Sequence, residues 1–158
     1  MEFENRFSVN APLDTVWQFI TDVPQVAPCL PGAEITREID PEHYEGAMKI
    51  KVGPVQMTMR GEIQVHIDEA EHAIHLSARG RDVRGIGSAS GTITAAVTPG
   101  DGGTDVVITS KVDVTGRIAQ FGRGIMQDVA NRQTAQFAAC LQEKLTSGAA
   151  AESGGLTQ

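Results

Sequence analysis

The fold turns on VQMTMRGEIQVHI, residues 55–67. Its odd positions (Val55, Met57, Met59, Gly61, Ile63, Val65, Ile67) are apolar or glycine, and its even positions (Gln56, Thr58, Arg60, Glu62, Gln64, His66) are polar. Successive side chains on a strand point to opposite faces, so this period of two predicts a long strand with one face buried. Upstream, Tyr44–Val52 alternates in the same way through Met48, Ile50 and Val52, and Val52-Gly53-Pro54 turns the chain between the two strands. Downstream, strands are predicted over Ala73–Arg81, Gly87–Val97 and Asp105–Thr115, the last pair joined at Pro99-Gly100-Asp101-Gly102-Gly103. Neighbouring strands joined by short turns form an antiparallel meander.

The flanks read differently. Met1–Val9 alternates loosely as a first strand. Pro12 suits the first turn of a helix, and Leu13, Val16, Trp17 and Ile20 share one helical face behind it. Asp22 caps a second short helix opened by Pro24 and ended by Pro28-Cys29-Leu30-Pro31-Gly32. After Thr115-Gly116, Ile118, Phe121, Ile125, Met126, Val129, Phe137 and Cys140 keep to one face of a long helix reaching about Leu145. A sheet with one apolar face needs a cover, and this helix is the only element large enough. The expected fold is therefore α+β: a curved antiparallel sheet wrapped around a long C-terminal helix, with two short helices after the first strand. Residues 1–146 form the domain, and 147–158, small and polar, form a flexible tail.

Composition narrows the function. A chain of 158 residues suits one domain with its own core. Lys and Arg total 13 against 20 Asp and Glu, a formal charge of −7 that argues against nucleic acid as a partner. An acidic N-terminal segment without an apolar run reads as no signal peptide, and no stretch is apolar enough to span a membrane. The expected compartment is the cytoplasm, with possible contact at the inner face of the membrane. There Cys29 and Cys140 would stay reduced, as buried thiols, and two cysteines cannot build a disulfide scaffold or hold an iron–sulfur cluster.

The inward strand positions include many small residues, among them Gly46, Gly61, Ala78, Gly80, Ala89, Gly91, Ala95 and Ser110. Such residues either let the covering helix sit close or leave space. Met48, Met57, Met59 and Met126 share this interior, and methionine re-packs around variable shapes, which favours space. The expected ligand-binding residues are Met48, Ile50, Met57, Met59, Ile63, Leu76, Ala78, Gly91, Ile93, Ile108, Phe121, Ile125, Met126 and Val129. Only Tyr44 and Ser110 bring a polar group to this face. General acid–base catalysis needs a positioned proton carrier, and nucleophilic catalysis needs an activated Ser or Cys beside a base. Neither is supplied, so no catalytic residue is expected. The histidines do not converge as metal ligands: His66 lies on the polar face, and His72 and His75 flank a turn on opposite faces. Gly85-Ile86-Gly87 and Gly100–Gly103 are turns and not phosphate loops. Arg79, Arg81 and Arg84, with Arg117 and Arg123, read either as a solvated face or as a cationic rim around a pocket mouth.

Several segments carry a resemblance. They are APLDTVW (11–17), Asp22, APCLPGAE (27–34), KVGPV (51–55), Gly61, ARGRDVRGIGSA (78–89) and VTGRIAQFGRGIMQDVANRQTAQF (114–137). In this order and spacing the chain resembles the carbon monoxide dehydrogenase CoxG family of the SRPBCC, or START-like helix-grip, superfamily. The resemblance implies a non-catalytic accessory protein of an aerobic carbon monoxide dehydrogenase or related molybdenum hydroxylase, associating the enzyme with the membrane. It also suggests a quinone or menaquinone-like ligand in the grip and no covalently bound cofactor. Two alternatives stay open: a docking or maturation factor acting by its surface, and a polyketide cyclase-like enzyme.

Overall fold

Alternation of two becomes seven strands in the computed structural model, which describes the backbone of residues 1–155 and the side chains of residues 1–146. The expected tail, 147–158, lies outside the residues whose side chains are described. In chain order the elements are β1 (Glu2–Val9), α1 (Leu13–Ile20), α2 (Val23–Val26), a 3-10 turn (Ala27–Cys29), β2 (Ala33–Asp40), β3 (His43–Val52) and β4 (Val55–Asp68). Then come β5 (Ala73–Asp82), β6 (Gly87–Gly100), β7 (Gly103–Gly116), a second 3-10 turn (Arg117–Phe121) and α3 (Gly122–Gly155). The strands form one antiparallel sheet in the order β1-β7-β6-β5-β4-β3-β2. Every pairing joins sequence neighbours except β1 with β7, which brings the first strand to the edge beside the last.

β2 was not expected. Its pairing with β3 slips between Ile35 and Arg37 and again between Glu38 and Asp40, so its alternation is broken. Ile39 stands 50% exposed in consequence. Charged residues and bulges of this kind are common on sheet edges, where they discourage pairing with another chain. The start of the last helix also differs. Gly122 takes φ +81°, which interrupts the helix, so Ile118 and Phe121 lie on the 3-10 turn and not on α3.

Glycines shape the sheet. Gly46, Gly61 and Gly80 are direct neighbours across β3, β4 and β5. A Cβ on Gly61 would lie 1.8 Å from the Arg79 carbonyl oxygen, and one on Gly91 would lie 2.3 Å from that of Lys111. Glycine inside a strand marks close backbone approach or a tight bend. These positions are small because a neighbouring strand is close, a cause that neither of the two sequence-based explanations included.

Burial falls into two separate clusters. Val9, Val16, Trp17, Phe19, Ile20, Tyr44, Val65, Ile74, Val97, Val106, Leu141 and Leu145 form the larger, where α1 and the later turns of α3 meet the sheet. Val52, Met57, Ile118 and Val129 form the smaller, at the start of α3. Each such side chain contributes about 1.5–3 kcal/mol by leaving water. Polar contacts then fasten α3. Asn5 donates to Asn131 (2.8 Å), Gln127 donates to the same Asn131 oxygen (2.9 Å), and Arg132 donates to the Lys51 carbonyl (2.7 Å).

Candidate functional site: the concave strip between two cores

Between the two clusters runs a strip of inward-facing residues on which the sheet is incompletely covered. Met48, Met59, Ile63, Leu76, Ala78, Gly91, Ile93 and Ile108 face α3 yet are only half-buried. Residues of the same facing on the same strands provide the comparison: Val65, Ile74, Val97 and Val106 are 3, 6, 2 and 1% exposed. The difference lies above the concave face, where solvent reaches the middle of the sheet and not that end of it. Phe121, Ile125 and Met126 are half-buried on the facing segment, as is Ile50 on β3. Met57 (1% exposed) and Val129 (6%) lie instead inside the smaller packed cluster. Twelve of the fourteen expected ligand-binding positions are thus half-buried on the concave side, and two are closed off.

Polar groups along the strip are few. Ser110 on β7 is half-buried there. Gln133 is a second such residue, missed from the sequence: it lies one helical turn from both Val129 and Phe137, on their face, and is half-buried. Tyr44 is tied down at the margin, its hydroxyl donating to the Pro41 carbonyl at 2.8 Å. Burial, with smaller effects from Glu38, Asp40 and Asp22, pushes its pKa up and keeps the phenol neutral.

One buried carboxylate was also missed, because the expected β5 stopped at Arg81. Asp82 is 2% exposed and opposite Met59 in the register. Its oxygens accept backbone N–H bonds from Arg84 (2.8 Å) and Thr58 (3.2 Å). Burial acts to raise its pKa, but the N–H groups of Arg84, Thr58 and Ile86 outweigh that and hold it below the usual carboxylate range. Asp82 therefore stays ionised at neutral pH and organises the β5–β6 turn. It has no proton to give. The signal available in the sequence was an Asp directly before the turn residues Val83-Arg84-Gly85.

Three expectations change. Cys29 and Cys140 are not free thiols but a disulfide, with Cα atoms 5.4 Å apart, joining the first 3-10 turn to α3. Their separation of 111 residues hid a proximity that only the docking of α3 creates. The arginines do not form one rim. Arg79 and Arg81 project from the face of β5 turned away from α3, and Arg84 binds the Gln56 carbonyl. Arg123 donates to the Glu2 carbonyl (3.1 Å) and lies over the Phe3 ring. Finally, the histidine neighbours are His66 and His75, stacked on that same outer face, while His72 meets the edge of Trp17. Among the described residues no three potential metal ligands converge, and no helix is long and apolar enough to cross a membrane.

Two open depressions lie off the strip. One, of about 340 Å³, is lined by Thr36, Glu45, Gly46, Arg60, Gly61 and Glu62. The other, of about 400 Å³, lies between α2 and β2, lined by Pro24, Ala27, Pro28, Ala33, Glu34, Ile35 and Glu38.

A curved antiparallel sheet closed over one long helix, with two short helices after its first strand, defines the START-like helix-grip class. Solved structures of this shape include a conserved protein from Geobacillus kaustophilus, at 19% identity, 93% of this chain, 96% of that chain and TM-score 0.82. The Zhui aromatase/cyclase from Streptomyces sp. R1128 is similar at 17% identity, covering 92% of this chain and 93% of that one, with TM-score 0.67. A START superfamily protein from Mycobacterium smegmatis is similar at 14% identity, 92% and 97% coverage and TM-score 0.61. At these identities the likeness shows the fold alone. No characterised protein matches the sequence significantly. Residues 6–146 match the carbon monoxide dehydrogenase CoxG family, and the chain belongs to that family.

Proposed function

We propose that this protein is a non-catalytic accessory protein of an aerobic carbon monoxide dehydrogenase or related molybdenum hydroxylase. It carries an apolar ligand, a quinone or similar lipid, against the concave strip and links the enzyme to the membrane from the cytoplasmic side. The observation that carries this reading is the half-buried apolar strip between two closed clusters. Leaving Met48, Ile63, Leu76, Ile93 and Ile108 against water forfeits roughly 25 cal/mol for each Å² not buried, and an apolar guest recovers it. The guest gains too, at about 0.8 kcal/mol per CH₂ withdrawn from water. Half-buried methionines suit a guest of variable shape.

A cyclase-like activity has less support. The buried carboxylate nearest the strip, Asp82, is ionised and bound by backbone N–H groups, so it serves poorly as a general acid. The test is organic extraction of protein purified from its native host, followed by mass spectrometry. A stoichiometric quinone or other isoprenoid lipid is expected. An extract free of lipid, together with failure to bind added menaquinone analogues, would remove the carrier reading.

A further inference from the structure

The convex face of the sheet, turned away from α3, concentrates positive charge on an acidic protein. Lys49 and Lys51 project from β3, Arg60 from β4, and Arg79 and Arg81 from β5, all exposed. Arg60 and Arg81 are direct cross-strand partners. Like charges placed opposite one another destabilise a sheet, and an acidic chain has carboxylates to spare for such positions. Yet among the described residues none of these five cations lies within ion-pair distance of a carboxylate; the pairs formed are Arg6–Glu4, Arg37–Glu45, His43–Asp40 and Arg84–Asp82. Two acidic residues border the patch, Glu62 opposite Arg79 and Glu45 on β3. The neighbouring outward positions of β6, Ser88 and Ser90, are neutral.

We propose that this patch is the docking surface for an acidic protein partner. The inference rests on the carrier reading for its choice of partner. A lipid lodged between α3 and the sheet enters and leaves on the concave side, so the membrane must meet that side. Cations behind the sheet face the other way, and their charge fits an acidic surface on the partner enzyme. The carrier thereby presents its back to the enzyme and its grip to the bilayer. Docking through exposed charges is screened by salt and acts mainly on the rate of encounter.

Two variants separate the possibilities. Arg60→Glu with Arg81→Glu inverts the patch while preserving a like-charge pair, so its cost to folding matches the wild type. Arg60→Gln with Arg81→Gln removes the repulsion and is expected to raise Tm slightly. Binding is measured at 50 and 300 mM NaCl to three probes. These are purified molybdenum hydroxylase holoenzyme from the same host, poly-L-glutamate, and vesicles of equal phosphatidylglycerol and phosphatidylcholine. Both variants are expected to bind the hydroxylase and poly-L-glutamate at least tenfold more weakly at 50 mM, with unchanged vesicle binding and lipid uptake. Patch-dependent binding of poly-L-glutamate without binding of the hydroxylase supports the surface and overturns the assigned enzyme. Wild-type affinity in both variants overturns the surface, as does a wild type that binds neither acidic probe. Loss confined to vesicles also overturns it and assigns the patch to the membrane.

Discussion

Gly61 offers a sharp test of how the concave sheet is made. A methyl group there would sit 1.8 Å from the Arg79 carbonyl oxygen and 2.6 Å from the Gly80 Cα. Cβ atoms are essentially never seen closer than 3.0 Å to such neighbours, so in Gly61→Ala β4 and β5 must part locally by about 1.2 Å. That separation breaks ladder hydrogen bonds worth about 1 kcal/mol each and adds overpacking strain of about 1–3 kcal/mol. With two bonds lost the total is about 3–5 kcal/mol. For a domain of this size each kcal/mol lowers Tm by roughly 2–4 °C, so a fall on the order of 10 °C is expected. Gly124→Ala is the control. It lies in α3 with nothing within 4 Å of its would-be Cβ, so it should stabilise by about 0.5–1 kcal/mol. Urea and thermal unfolding followed by circular dichroism measure both. A Gly61→Ala protein melting within a degree of wild type would refute the idea that close strand approach requires glycine here.

Other perturbations test the remaining links. Ala78→Phe adds bulk to the strip at a position already bearing a Cβ, so it should abolish binding of a menaquinone analogue with little loss of Tm; unchanged affinity would count against the strip. Gly91 is a poorer choice for that purpose, because its Cβ would strike the Lys111 carbonyl before any side chain reached the ligand. Reducing the Cys29–Cys140 bond frees a loop of 111 residues, for which chain entropy gives at most about 5 kcal/mol. Tm should fall on reduction and match that of Cys29→Ala with Cys140→Ala, whereas two free thiols titrated in unreduced, denatured protein would contradict the pairing. Asp82→Asn should lower Tm at pH 7. Because the native Asp82 pKa is depressed, its contribution is complete above the unfolded value of about 3.9 and is lost as pH falls through the lower folded value. The gap in Tm between wild type and variant should therefore hold from pH 7 to 5 and close below about pH 4; a gap independent of pH would show that the charge is not what matters.

Most of the sheet was legible because alternation of two is a local property. Residues 55–67 state their own register, and so do the strands that flank them. What escaped depended on contacts distant in sequence or on broken patterns. β2 was lost because its slips destroy the alternation on which recognition relies. The disulfide was invisible because docking of α3, and not sequence spacing, brings Cys140 to Cys29. The arginines were expected to share one rim because 79, 81 and 84 are close in sequence, yet strand parity sends Arg79 and Arg81 behind the sheet. The apolar character of the candidate strip could be read from parity. Its division into covered ends and an uncovered middle could not, since that depends on where α3 rests. Gln133 shows the same limit: its face was calculable, but nothing local indicated that the face was half-open.

Methyl NMR titration with a menaquinone analogue tests the central claim most directly. Resonances of Ile63, Leu76, Ile93 and Ile108 should shift in a saturable manner, while those of Val65, Val97 and Val106 in the closed cluster stay nearly still. Shifts confined to the outer depression at Ala33 and Ile35, or no saturable shift at all, would contradict a guest held between the long helix and the sheet.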